Sequence, residues 1–188
     1  MIWGDRLLKE LTSDVGFRGG RIYNSYPGAI NPASINVRLG NSFLKPYKFY
    51  ESSICIILGD KIAYEPCDII NGIVYMKPGD FILATTMESF DIPIKCAAFV
   101  QGRSSIGRAA LSVENAGFID PGFKGHITLE LKNDGPYTIG LKPGYPVAQI
   151  IFMDADDVEN GYSGKYMNQV EATGSRMYMD DRKMIFNE

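Results

Sequence analysis

Apolar positions along this chain have two textures. Over the first twelve residues they recur at helical spacing, with Leu7, Leu8 and Leu11 on one side, which predicts a short amphipathic helix. After Pro32 they fall into short runs, several strictly alternating, broken by Gly, Pro, Asn and Asp. The runs predict strands at 35–39 (INVRL), 53–58 (SICIIL), 72–76 (GIVYM), 81–86 (FILATT), 97–101 (AAFVQ), 127–131 (ITLEL), 137–141 (YTIGL) and 147–152 (VAQIIF). Lys77-Pro78-Gly79-Asp80 and Lys142-Pro143-Gly144 are turn signals between them. Short strands without alternating helical patterns predict an all-β-dominated, antiparallel sandwich or barrel with short helices, not a doubly wound sheet. No internal repeat of fixed period is present. From Asp154 onward the chain is polar, rich in Gly, Asn and Asp, and aperiodic. That composition favours disorder, with ordering over a ligand as the alternative.

Composition narrows the function classes. At 188 residues and 45% apolar, the chain suits one well-buried domain. A formal charge of −3 argues against a general nucleic-acid surface, yet permits a small anion held by local Arg and Lys. The start, MIWGDRLLKE, lacks the apolar run of a signal peptide, and no stretch reaches the roughly 18–20 apolar residues of a membrane span. A soluble, cytoplasmic protein is expected. Cys55, Cys67 and Cys96 are odd in number and widely spaced, so free thiols are expected. With one histidine, His126, and no Cys-x-x-Cys pair, a zinc site is not expected.

Two stretches concentrate polar chemistry. In GRSSIGRAAL (102–111), Ser104 and Ser105 precede a helical turn and Arg103 and Arg108 flank them. Such groups either cradle a phosphate or are a capped turn with solvated arginines. In IDPGFKGHITLEL (119–131), Asp120 is either a turn residue or an acceptor for a sugar hydroxyl, and Phe123 is either core or a flat ligand-facing wall. Strand parity puts Ile127, Leu129 and Leu131 on one face, and Thr128, Glu130 and Lys132 on the other. Periodicity alone makes Glu130 part of a solvated face. His126 reads as a surface or hydrogen-bonded structural residue.

Taken together, these motifs resemble the dCTP deaminase branch of the dUTPase-like trimeric nucleotide hydrolases. INPASINVRLGNSF (30–43), ATTMESFDIP (84–93), LKPGYPVAQIIF (141–152) and KYMNQVEATGSR (165–176) extend the similarity over nearly the whole chain. The resemblance implies a distorted jelly-roll β-barrel of the dUTPase-like type, assembled as a homotrimer with sites between subunits. Residues 1–188 would form a single domain: a 1–153 core with an N-terminal helix and a 154–188 C-terminal lid.

It also implies roles. Glu130, typically apolar in dUTPases, would be the carboxylate that moves protons during deamination. Ser104 and the Ala116 carbonyl would orient the attacking water, and Arg108 would hold Glu130 placed and ionised. Arg103 and Ser105 would contact phosphates, Asp120 the sugar 3′-hydroxyl, and Phe123 the deoxyribose. Tyr162 matches the lid tyrosine; Lys165, Tyr166 and Gln169 match a triphosphate- and base-contacting K-Y-x-x-Q pattern; Gln149 lies in a motif supporting the nucleotide site. Magnesium would arrive on the triphosphate, with no zinc.

The chain departs from the family pattern at three places. It is one residue shorter than usual between Arg108 and Asp120, it carries Val113-Glu114-Asn115 where relatives carry His and Thr before the Ala, and it has Asn36 for a usual aspartate. The expected activity is conversion of dCTP to dUTP and ammonia, with dTTP as a possible inhibitor. The alternative is a bifunctional enzyme giving dUMP and pyrophosphate, suggested by Ala116-Gly117-Phe118-Ile119-Asp120. A dUTPase or a non-catalytic nucleotide sensor is the further alternative.

Overall fold

The computed structural model describes residues 1–47, 55–114 and 117–180. Helix α1 (Asp5–Leu11) buries Leu8 and Leu11, as its spacing requires. Twelve strands follow: β1 (Arg21–Tyr23), β2 (Ile30–Asn31), β3 (Ser34–Pro46), β4 (Tyr64–Pro66), β5 (Val74–Met76), β6 (Phe81–Asp91), β7 (Cys96–Gly102), β8 (Leu111–Val113), β9 (Phe118–Ile119), β10 (Lys124–Asn133), β11 (Ile139–Leu141) and β12 (Pro146–Asp154). A four-residue helix, α2 (Ser104–Gly107), links β7 to β8. The main sheet runs β8-β10-β6-β3-β12-β7-β9, with β1 on β6 and β2 and β4 on β3; β5 and β11 form a separate ribbon. Every strand pair is antiparallel.

Seven of the eight expected strands are present. The apolar run at 53–58 is not one: residues 55–58 are a loop that exposes Ile57 and Leu58, and 53–54 lie outside the described residues. That run was apolar without alternation, and such runs carry no periodic signal.

Strand β3 joins the two halves of the curled sheet. Residues 35–38 pair with β12, whereas Leu39, Phe43 and Leu44 pair with β6 across a register shift. Gly40 sits at the crossing, where a Cβ would approach Thr85 Cγ2 to 2.5 Å, so only glycine lets the strands cross this closely. Beside it, the buried Glu88 carboxylate takes the Arg38 Nε–H at 2.7 Å and the Arg38 backbone N–H at 2.8 Å. The guanidinium also lies 4.7 Å from the Tyr26 ring centroid, so the buried charge is satisfied from several directions.

At the other end of the barrel, Trp3 is fully buried between Phe17 and Phe152 and donates its Nε1–H to Asp154. No helix among the described residues is long and apolar enough to cross a membrane.

Candidate active site

Strand β10 is the rigid element of the site. It is held by β6 on one side, where Glu130 faces Leu83, and by β8 on the other, where Leu131 faces Val113. The expected parity holds: Ile127, Leu129 and Leu131 are buried, Thr128 and Glu130 half-buried, and Lys132 exposed. A solvated strand face would expose Glu130 fully. Instead Glu130 is half-buried and lines a cavity of about 870 Å³. Burial first, and the neighbouring Glu114 second, push its carboxyl above the ordinary value of 4.5.

The turn before β10 forms another wall. The Asp120 carbonyl accepts the Phe123 N–H at 3.2 Å, and Gly122, at φ +81°, takes the left-handed conformation the turn needs. Asp120 is exposed at the cavity, free to meet a ligand. Phe123 is both things the sequence left open: it is 7% exposed and belongs to the core, and it also lines the cavity. The Tyr162 ring leans on it, centroids 5.8 Å apart.

Residues 155–180 are placed against the barrel, which corrects the disorder that their composition favoured. The correction has a physical reason: backbone hydrogen bonding, which composition does not report, anchors the segment. Tyr162 N–H donates to Pro121 O (2.7 Å) and Asn168 N–H to Lys124 O (2.8 Å), while His126 N–H donates to Gln169 O (2.8 Å). The Gln169 amide returns a bond to His126 O at 2.8 Å, Thr173 N–H donates to Thr128 Oγ1 at 3.1 Å, and Ser175 N–H to the Tyr64 hydroxyl at 3.2 Å. Close approach depends on Gly125 (φ +124°), where a Cβ would come within 2.7 Å of Gln169 O. Tyr162, Lys165, Tyr166 and Gln169 thereby all line the cavity with Glu130, Asp120 and Phe123. Lys165 pairs with Asp180, and the Arg176 guanidinium donates to Lys165 O.

Five expected residues lie elsewhere. Arg103 donates from Nη1 to Pro146 O at 2.9 Å; Ser104, Ser105 and Arg108 are exposed around α2. The N-cap of α2 is Arg103 and no side chain caps it, so Ser104 is not the cap. Gln149 accepts from the Ser34 hydroxyl at 3.0 Å. None of the five lines the cavity. The Ala116 carbonyl lies outside the described residues. His126, as expected, is structural: its Nδ1 lies 2.9 Å from Thr86 O.

Sequence reading missed Thr128, Tyr64, Thr173 and Ser175 as cavity residues, and it marked Glu114 only as part of the altered 113–115 stretch, with no role of its own. Glu114 carried a usable signal, because recognising the three-residue strand β8 would have placed it opposite Glu130. A half-closed cavity with a carboxylate, aromatic walls and a lysine suits a flat polar ring joined to an anion. Among the described residues no group of three or more His, Cys, Asp or Glu could hold a metal ion.

Comparison with known proteins places this geometry in context. The family described as dCTP deaminase-like matches residues 5–155. A dUMP-forming dCTP deaminase of Sulfurihydrogenibium sp. is 41% identical over 162 residues, 80% of this chain and 84% of that one. A protein of the same description from Aquifex aeolicus is 37% identical over 185 residues, 96% and 97% of the two chains. The crystal structure of 2′-deoxycytidine 5′-triphosphate deaminase from Agrobacterium tumefaciens superposes with a TM-score of 0.60 at 21% identity. That match covers 80% of this chain and 47% of that one, so this chain spans about half its length. The shared fold is the barrel that the sequence resemblance implied.

Proposed function

The chain belongs to the dCTP deaminase-like family, and from that premise we propose that it converts dCTP to dUMP, pyrophosphate and ammonia at a single site. The observation that carries the chemistry is Glu130, a half-buried carboxylate inside the cavity. The similar proteins from Sulfurihydrogenibium and Aquifex are described as dUMP-forming. This favours the bifunctional alternative over the expectation that dUTP is the final product.

In this reading the cytosine ring lies against Glu130, deoxyribose packs on Phe123, and Asp120 accepts from the 3′-hydroxyl. Glu130 takes the proton of water as its oxygen adds to C4, and protons pass to N3 and to the departing amine. Asp120 then orients the water that cleaves the α–β phosphoanhydride. Lys165, Tyr166 and Gln169 hold the triphosphate end as the 154–188 segment covers it. Magnesium travels as the triphosphate's counter-ion, held by its oxygens.

The remaining groups come from a neighbouring chain of a homotrimer. Ser104, with the Ala116 carbonyl, positions water; Arg108 steadies Glu130; Arg103 and Ser105 meet phosphates; Gln149 supports the site from β12.

The test is incubation with dCTP and magnesium followed by separation of products. Ammonia, dUMP and pyrophosphate in equal amounts are expected. Accumulating dUTP would restore the monofunctional reading, binding without turnover would indicate a sensor, and absence of ammonia overturns the deaminase.

A further inference from the structure

We propose that Thr86 is a positioning residue for Glu130: its hydroxyl pins a β-bulge between β6 and β10, and so fixes where along the sheet the carboxylate stands. The inference rests on the deaminase reading above and deepens it.

The bulge shows in the register. On one side of it Lys124, Gly125 and His126 face Asp91, Phe90 and Ser89; on the other, Thr128, Leu129 and Glu130 face Thr85, Ala84 and Leu83. Strand β6 therefore places three residues, Thr86 to Glu88, where β10 places one, Ile127. Side chains close the gap. Thr86 is buried, and its hydroxyl accepts the Ile127 N–H at 3.0 Å while donating to Glu88 O at 2.7 Å. The other two carbonyls of the excursion also meet side chains. Thr86 O takes the His126 Nδ1–H at 2.9 Å, and Met87 O takes the Asn24 amide at 3.0 Å. The Glu88 carboxylate, held by Arg38, fastens the excursion to β3 as well. Within this set Thr86 is the side chain that ties the excursion to the backbone of β10.

The apolar pattern cannot perform that task. An offset of two residues leaves every side chain on its own face, so alternation does not say where along the pair the bulge should sit. Its position matters because it divides the site. Before it lie the turn with Asp120 and Phe123, and the His126 backbone bonds to Gln169; beyond it lie Thr128 and Glu130. Seated past Glu130, the bulge would leave that residue facing Thr85 instead of Leu83, about 7 Å along β6. Re-aiming a side chain in this way is a recurrent use of bulges beside active sites.

The experiment compares Thr86→Val, which keeps the shape and removes the hydroxyl, and Thr86→Ser, which keeps the hydroxyl, with the intact wild-type protein. Asp154→Ala, at the opposite end of the barrel, controls for lost stability alone. Ammonia release from dCTP is read per folded molecule, beside amide hydrogen exchange by NMR. Thr86→Val is expected to lower kcat between about ten- and a hundredfold, the scale of a small misplacement. Its KM should stay within about threefold, because Asp120 and Phe123 lie on the other side of the bulge. Its Ile127 amide should exchange roughly tenfold faster or more. Thr86→Ser should return kcat to within about threefold of wild type, and Asp154→Ala should leave it unchanged. In wild type, the Thr86 hydroxyl proton should exchange slowly enough to be observed and should show an Overhauser contact with the Ile127 amide; this reading requires no variant to fold. A missing contact, an unchanged kcat in Thr86→Val, a loss that Ser does not rescue, or an equal loss in Asp154→Ala overturns the proposal. If wild type releases no ammonia, the deaminase reading fails, yet the contact and the Ile127 exchange still decide whether the hydroxyl pins the bulge.

Discussion

A carboxylate half-withdrawn from water resists ionisation, and Glu130 sits that way on an otherwise ordinary strand. Because its folded-state pKa is raised above the ordinary 4.5, the ionised form weakens the fold as pH rises through that raised value. Glu130→Gln is therefore expected to melt at or above the wild-type temperature at pH 7, with the difference vanishing below about pH 4.5, by calorimetry. The same variant should keep nucleotide binding and lose roughly 10²–10⁴ in ammonia release, measured by steady-state kinetics. A gain in stability beside a loss in activity separates a functional charge from a structural one. Alternation in ITLEL assigned Glu130 to the polar face but could not say whether that face met bulk water or a cavity. The difference is made by Asp120 and Phe123, which a turn folds back beside the strand, and by C-terminal residues that are distant in sequence and belong to a segment without period. The place of Glu114 in the cavity stayed hidden because three residues of strand are too few to register as a pattern.

At the scale of elements, strands with strong alternation were legible, whereas the two- and three-residue strands β1, β2, β4, β8 and β9 exist only because longer neighbours present open edges. The C-terminal segment was illegible for a related reason: its order comes from bonds to the turn and β10, not from its own composition. Gly125→Ala should displace it, since both the positive φ and the proximity of Gln169 exclude a side chain there. We expect the barrel to persist by circular dichroism while dCTP affinity falls about tenfold, about 1.4 kcal/mol. Deleting residues 162–188 should go further, leaving a folded core with weak triphosphate binding in titration calorimetry. At the opposite end, Asp154 terminates β12 and accepts from Trp3 Nε1 and Arg18, beside the chain's amino terminus. These partners, Trp3 first, hold its carboxyl below the ordinary 3.8. Its contribution is thus complete above that value and lost as pH falls through the lower folded-state one. Asp154→Ala should lower stability by roughly 1 kcal/mol at pH 7, about 2–4 °C in Tm, and by less in strong acid.

Across the whole molecule, the expected site residues divide into a group that one chain gathers into a cavity and a group, around α2 and on β12, that lies outside it. If neighbouring chains of a trimer join the two groups, Ser104→Ala and Glu130→Gln damage different contributors to each site. Mixed after co-expression, the two inactive proteins should recover roughly a quarter of wild-type turnover, half of the sites' one side times half of the other. No recovery would argue for sites completed within single chains. The bonds from Gln169 and Thr173 to His126 and Thr128 have one more consequence. They fasten the segment assigned to the phosphate end in the proposed function to the very strand that, two residues on, carries Glu130. Under the proposed function grip and chemistry share a backbone, and a truncated chain should remain slow even when flooded with nucleotide: excess dCTP would fill a loosened pocket but would not re-aim Glu130.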